Sequence, residues 1–359
     1  MKPANIKTNC KWFKSQVPCK PHKQDGRHCE QCTAYVPVSD RILVIKLGAA
    51  GDVIRTTPLL RKIRQESPNA EIIWVTYSPE LLTVEWVGKI LSFDLKNILW
   101  LEAQKFGWVI NLDKDDEAIA LASRIKADRK SGFGMDEYGK CVPFGAAETH
   151  KWLTGLWDDI SLANTKNYME EIFEICGYKF DGEEYILDEP SDKTWDEIDT
   201  DKKVVGLNTG CGNRWLTRLW PDDKWIALAG MLKEQKNEVV ILGGPQEHKK
   251  NIKISKDSGA KYPGYFDLPT FISLMGQCDI VVTQVTMALH IAIALGKTVV
   301  LINNIFNRNE FHLYERGVIV EPDLKCLGCF KERFDEKCPV DNCMELVGPE
   351  DIIREIESL

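Results

Sequence analysis

The stretch RILVIKLGAAGDVIRTTPLLRKIRQ, residues 41–65, decides how the chain is read. Ile42, Leu43, Val44 and Ile45 form a short unbroken apolar run, the pattern of a strand buried on both faces. Gly48 and Gly51 predict a tight turn that lets a ligand approach the backbone. The residues after them predict a helix with Pro58 in its first turns. Strand, glycine turn and helix open a doubly wound α/β domain, which binds ligands beyond the carboxyl ends of its strands. Asp52 stands at that edge. A carboxylate there can take a proton from a hydroxyl, or it can simply cap the helix.

The alternation continues outward. AEIIWVTY (70–77), NILWL (97–101) and FGWVINLD (106–113) read as strands. DDEAIALASRIK (115–126) reads as a helix with acidic residues at its start, and TKNYMEEIFEICGYKF (165–180) as a helix closed by Gly177. Residues 188–202, DEPSDKTWDEIDTDK, form an acidic, polar linker. Beyond it the pattern restarts: strands at KVVGLNTG, EVVILGGP, DIVVTQ and KTVVLIN alternate with helices at DDKWIALAGMLKEQ, DLPTFISLMGQ and TMALHIAIALG, and PEDIIREIESL closes the chain. The expected architecture is α/β, with Rossmann-like doubly wound domains over 37–190 and 203–322 and cysteine-bearing segments at 1–36 and 323–359. The length of 359 residues agrees, because single cores rarely grow beyond about 250–300 residues.

Lys plus Arg number 46 and Asp plus Glu 54, a net charge of −8 that gives no support to a nucleic-acid footprint. No apolar run approaches the ~18 residues of a membrane span, and the first residues, MKPANIKTNCKWFK, lack an apolar signal core. A cytoplasmic protein is the expectation.

Three further motifs bear on chemistry. In NTGCGNRWLTRLWPDDKW (208–225), Thr209, Gly210 and Gly212 form a polar turn after a strand, and Arg214 and Arg218 follow. Such a turn suits a diphosphate, although both arginines could be solvated surface charges. In ILGGPQEH (241–248), Glu247 stands at a sheet edge, where a carboxylate can accept both hydroxyls of a ribose. In VTQVTMALHIAIALGK (282–297), Thr286 could cap the helix and aim its N–H groups at phosphate. His290 follows on an apolar helix, where a satisfied core histidine is the commoner case.

Taken in order, ILVIKLGAAGDVIRTTPLL, RLWP, GGPQEH and MALHIAIALGK resemble glycosyltransferase family nine, the ADP-heptose-dependent heptosyltransferases, over about residues 41–350. The resemblance implies a GT-B fold with two Rossmann-like domains facing a cleft, and inverting transfer without a catalytic metal. It matches Asp52 to the general base, Arg218 to a lysine on the donor phosphates, and Glu247 to the ribose-binding acid. Thr286 and His290 match the small hydroxyl and the histidine of the phosphate-binding helix. The sequence departs from the family at Val285 and Met287, where Asp and Gly are usual, and at INLDKDDEA, where a glutamine-containing loop is usual. Asp113, Lys114 and Asp115 are there assigned to the acceptor side. The implied partners are an ADP-sugar donor and a lipopolysaccharide core or other glycan acceptor, with no nucleic acid. Lys2, Lys7, Lys11, Lys14, Lys20 and Lys23 would suit peripheral contact with an anionic inner membrane. The alternatives are a protein O-heptosyltransferase acting on an exported adhesin and a non-catalytic, metal-binding scaffold.

Twelve cysteines are many for a cytoplasmic chain, where disulfides are rare. Cys326, Cys329, Cys338 and Cys343 lie within 18 residues with a CxxC knuckle, the spacing of a tetrathiolate site for zinc or iron. An iron-holding cysteine finger is known in some members of the family resembled. Cys10, Cys19, Cys29 and Cys32 form a looser second set that could staple a coreless lobe. Four-cysteine sites are closed, so both sets are expected to be structural.

Overall fold

In the computed structural model, which describes residues 5–188, 193–212 and 214–359, the chain forms two compact units. One runs through Leu47 and resumes at Leu59–Glu148; the other holds Gly48–Pro58 and Thr149–Leu359.

The first unit is built on β1 (Arg41–Ile45), β2 (Glu71–Thr76), β3 (Lys89–Ser92), β4 (Lys105–Asn111), β5 (Lys126–Met135) and β6 (Cys141–Pro143). They lie in the order β3-β2-β1-β4-β5-β6, parallel except for the antiparallel β5–β6 pair. Chain order reverses at β1, so the ligand-binding crevice of this topology opens between the carboxyl ends of β1 and β4. Leu43, Ile45, Ile73, Val75, Phe106 and Val109 fill its core.

The second unit holds β7 (Val204–Asn208), β8 (Glu238–Leu242), β9 (Ile280–Gln284), β10 (Thr298–Ile302) and β11 (Gly317–Val320), all parallel, in the order β11-β10-β9-β7-β8. Here the reversal falls between β7 and β9. The helices Asp222–Glu234 and Pro349–Ser358 bury Trp225, Leu228, Ile352 and Ile356 on this sheet. Trp220 meets Trp225 edge to face at 4.8 Å between centroids.

The structure corrects three expectations. NILWL lies in a helix, Leu95–Glu102, not a strand. Asp94 caps it, accepting from the Asn97 N–H at 3.0 Å, and that local bond favours the helix over an extended run. The helix after β1 is two helices, Ala50–Thr56 and Pro58–Glu66, because Pro58 cannot donate to the preceding turn and begins the second. The 37–190 domain also does not hold together as drawn. Gly48–Pro58 and Thr149 onward group with the C-terminal unit, where the Tyr168–Cys176 helix packs on Ala50–Thr56.

Part of the linker, 189–192, lies outside the described residues. In its remainder Trp195 and Ile198 are buried, and the Trp195 indole donates to Ser273 Oγ at 3.3 Å.

Candidate active site

The turn after β7 sits at the β7/β9 reversal. Asn208 Nδ2 donates to Gly210 O (3.3 Å), Thr283 Oγ1 (2.9 Å) and Thr286 Oγ1 (3.3 Å), joining the two strand ends. Thr286 caps the Met287–Ala294 helix, its Oγ1 accepting from the Ala288 N–H at 3.1 Å. Thr209 is buried and donates to Asn251 Oδ1 at 2.5 Å. The carboxyl of Glu247 lies against Gly210, so closely that any side chain at 210 would run into it, and Oε2 accepts from the Gly244 N–H at 3.0 Å. Gly212 adopts φ +71°, which a glycine turn supplies without strain.

Arg218 is placed otherwise than a phosphate ligand would be. It is 9% exposed, and its guanidinium donates to the carbonyls of Val285, Cys211 and Trp215. Burial pushes its pKa down. Arg214 is exposed and pairs with Glu332 at 2.9 Å.

Asp52 joins this cluster through its helix. Gly51 presses Ala50–Thr56 against Met287–Ala294: a Cβ there would lie 2.7 Å from the His290 ring and 3.3 Å from Met287 Cα. Only glycine permits that approach. Asp52 Oδ2 accepts from the Ala49 N–H at 3.3 Å, as a capping residue does, and Oδ1 lies 2.9 Å from Arg55 Nε. Its side chain remains 33% exposed. Asp52 therefore meets the capping reading and still presents a carboxylate to solvent.

In the first unit, Asp113 follows β4 at the β1/β4 reversal and is buried, paired with Lys46 and accepting from the Leu47 N–H. Burial raises its pKa while the Lys46 ammonium opposes the rise. Lys114 lies 5.0 Å from the Phe133 ring centroid, and Asp115 is the N-cap of Asp116–Arg124. The three residues assigned to the acceptor side thus differ: Asp113 is committed to Lys46, whereas Asp115 is exposed.

The Asp52 carboxylate thus lies on a helix packed against the capped Met287–Ala294 helix, and the Glu247 carboxyl lies against the turn after β7. Residues 100–338 match the model of glycosyltransferase family 9 (heptosyltransferase). The chain belongs to this family. It is a glycosyltransferase. A family 9 glycosyltransferase from Veillonella parvula shares the fold at TM-score 0.67 and 17% identity, covering 89% of this chain and 97% of that one. The E. coli heptosyltransferase WaaC with ADP aligns at TM-score 0.61 and 16% identity, covering 89% and 97%. An iron-containing dodecameric glycosyltransferase, TibC, from enterotoxigenic E. coli aligns at TM-score 0.55 and 13% identity, covering 89% and 76%. No curated protein sequence matches the chain.

Sequence reasoning missed several residues around Asp52: Arg55, Tyr168, Tyr185 and Glu310. Only Arg55 left a trace, as the charged residue one turn after Asp52 on an otherwise apolar helix. The others come from distant segments. His290 was seen, and it is a core residue. It is 6% exposed, stacks on Tyr185 at 6.2 Å, and its Nδ1 has no hydrogen-bond partner among the described residues.

Burial, and then the Arg55 charge, push the His290 imidazole down to about 3, against a smaller pull from Asp52. An unfolded histidine titrates near 6.5. Between those values the unfolded chain binds a proton that the folded one refuses, so stability falls as pH drops through that window. His290→Asn should therefore lose less unfolding temperature than the parent between about pH 7 and about pH 5. Equal losses in the two proteins, followed by circular dichroism, would contradict a buried neutral imidazole.

Cys326, Cys329, Cys338 and Cys343, expected from their spacing to gather, lie around one cavity. Among the described residues, no three His, Cys, Asp or Glu side chains are close enough together to hold a metal ion. The C-terminal four line this cavity of about 30 Å³, with Asn304 donating to Cys343 Sγ at 3.2 Å and Lys331 to Cys338 Sγ at 3.6 Å. Near the N-terminal four, His22 and His28 lie edge to face at 5.3 Å. Backbone bonds from Lys11 to Val36 and from Val38 to Asn9 hold that segment together.

Proposed function

We propose that this family 9 glycosyltransferase moves heptose, or a similar sugar, with inversion from an ADP-sugar to a hydroxyl of a lipopolysaccharide core. The observation that carries the reading is the half-exposed Asp52 carboxylate on a helix packed directly against the capped Met287–Ala294 helix. Asp52 takes the proton of the acceptor hydroxyl, which attacks the anomeric carbon from the face opposite the nucleotide. The departing diphosphate is stabilised by amides of the Gly210–Gly212 turn and by the N-terminal N–H groups of the Met287–Ala294 helix. Glu247 takes the ribose hydroxyls. Arg218 supports the turn and the helix start rather than the phosphates themselves.

A thermal-shift series with ADP, UDP and ADP-heptose tests the donor. A ligand at about 100 times its dissociation constant adds about 2.7 kcal/mol of stability. ADP and ADP-heptose should raise the unfolding temperature and UDP should not; no shift with either adenine nucleotide would refute the donor. A protein acceptor on an exported adhesin is the second reading, favoured by the similarity to the iron-containing TibC and by the twelve cysteines of this chain. Transfer assays with a deacylated core saccharide and with an adhesin fragment separate the two.

Structural zinc or iron at Cys326, Cys329, Cys338 and Cys343, and a second ion at Cys10, Cys19, Cys29 and Cys32, belong to the same proposal. The soft donor set suits either metal. An ion would have to draw the thiols closer than they now stand. Anaerobically purified protein with less than about half an equivalent of metal would count against both sites. Among the described residues no helix is long and apolar enough to cross a membrane. Cytoplasmic residence with peripheral binding through Lys7, Lys11, Lys14, Lys20 and Lys23 completes the reading, and liposome sedimentation checks it; Lys2 lies outside the described residues.

A further inference from the structure

Behind Asp52 lies a buried assembly that no step of the transfer uses. Arg55, one turn along the same helix, is only 12% exposed. Its Nε lies 2.9 Å from Asp52 Oδ1 and its Nη1 2.9 Å from Glu310 Oε1, the latter carried by the Arg308–Glu310 turn. The Tyr168 ring covers the guanidinium, with 3.7 Å from Cζ to the ring centroid. Its hydroxyl lies 3.1 Å from Thr56 Oγ1, which donates to the Asp52 carbonyl at 2.7 Å. Three separate segments therefore fix one cation against the inner side of one carboxylate.

We propose that Arg55 is the positioning residue for Asp52, with Glu310 and Tyr168 holding the guanidinium in place. The value of this for catalysis rests on the reading of Asp52 as the base. The planar fork holds two carboxylates in one fixed geometry, which the rotatable donors of a lysine ammonium do not impose. Burial alone would lower the pKa of Arg55, and the charges of Asp52 and Glu310 more than reverse it, so it stays a cation throughout the working range. A fixed cation at this distance favours the ionised carboxylate, the form that accepts a proton. Arg55 on its own helix, neutral His290 and Tyr185 act directly on Asp52, while Glu310 and Tyr168 act on Arg55. Of these, Glu310 is the like charge, and Arg55 stands between it and Asp52.

The test is a titration of the full-length protein labelled with 13C at the aspartate carboxyl. Asp52→Asn identifies the resonance. In Arg55→Met the Asp52 midpoint should rise by about one to three pH units, and in Arg55→Lys by less. Arg55→Met/Glu310→Gln should bring it part of the way back, because the like charge is gone. An Asp52 midpoint unchanged in a folded Arg55→Met protein overturns the proposal. If that variant does not fold, an unchanged midpoint in Arg55→Lys does so. The base assignment fails separately, by full transfer activity in Asp52→Asn, and that result leaves the titration standing.

Discussion

Asp52→Asn should cut transfer from ADP-heptose by about 10²–10⁴-fold while ADP still binds. The substitution changes little else. An asparagine oxygen can keep the bond from the Ala49 N–H, so the start of the Ala50–Thr56 helix survives, and Arg55 retains Glu310 as its partner. What disappears is the ability to take a proton from the acceptor hydroxyl, because an amide oxygen is too weak a base at neutral pH. The donor contacts proposed above belong to the Gly210 turn, Glu247 and the Thr286 cap, none of which the change touches. The loss should therefore fall on kcat, with the KM for donor nearly fixed. Near-parental transfer by a protein that still shifts its unfolding temperature with ADP would remove Asp52 from the mechanism.

The parts that could be read in advance are those where one short segment settles its own fate. Ile42–Ile45, Val204–Asn208 and Ile280–Gln284 are strands because each is an apolar run buried on both faces between turn residues. Gly177 ends its helix in the left-handed region as a C-cap glycine should. The failures have a common cause. NILWL is apolar enough for a strand, and its helix depends on Asp94, three residues before the stretch considered. The domain boundary was placed by the acidity of 188–202. The grouping of 149–188 with the second unit instead depends on aromatic contacts such as Tyr185 on His290, made across more than a hundred residues of chain. The site divides in the same way. Asp52, Glu247 and Thr286 announce themselves by standing next to strand ends, whereas Glu310 and Tyr168 reach Arg55 only through the tertiary fold. Val285 and Met287 enter these contacts only through backbone atoms, the Val285 carbonyl accepting from Arg218 and the Met287 Cα facing Gly51, and nothing in the structure explains their side chains.

Arg218→Met should cost about 3–5 kcal/mol of stability in the second unit, and Arg218→Lys not much less. Resemblance alone assigns this residue to the donor phosphates, in which case its loss would weaken ADP binding and leave the apoprotein intact. The structure points the other way. A 9% exposed guanidinium serves three carbonyls, and two of them, at Cys211 and Val285, belong to the turn after β7 and the segment after β9. Each such charged hydrogen bond contributes about 1.5–3 kcal/mol, and removing the donor leaves buried carbonyls unpaired. A lysine supplies the charge but not the fork, so it can satisfy only part of the set. The measurement is the unfolding temperature of parent, Arg218→Met and Arg218→Lys without ligand, followed by the increment that saturating ADP adds to each. The expected result is a large fall without ligand and a near-normal increment with it, provided the turn re-forms around the nucleotide. An unchanged apoprotein with the ADP increment abolished would return Arg218 to the phosphates. The Gly210 turn and the Thr286 helix start would then be held by the bonds that Asn208 makes between them.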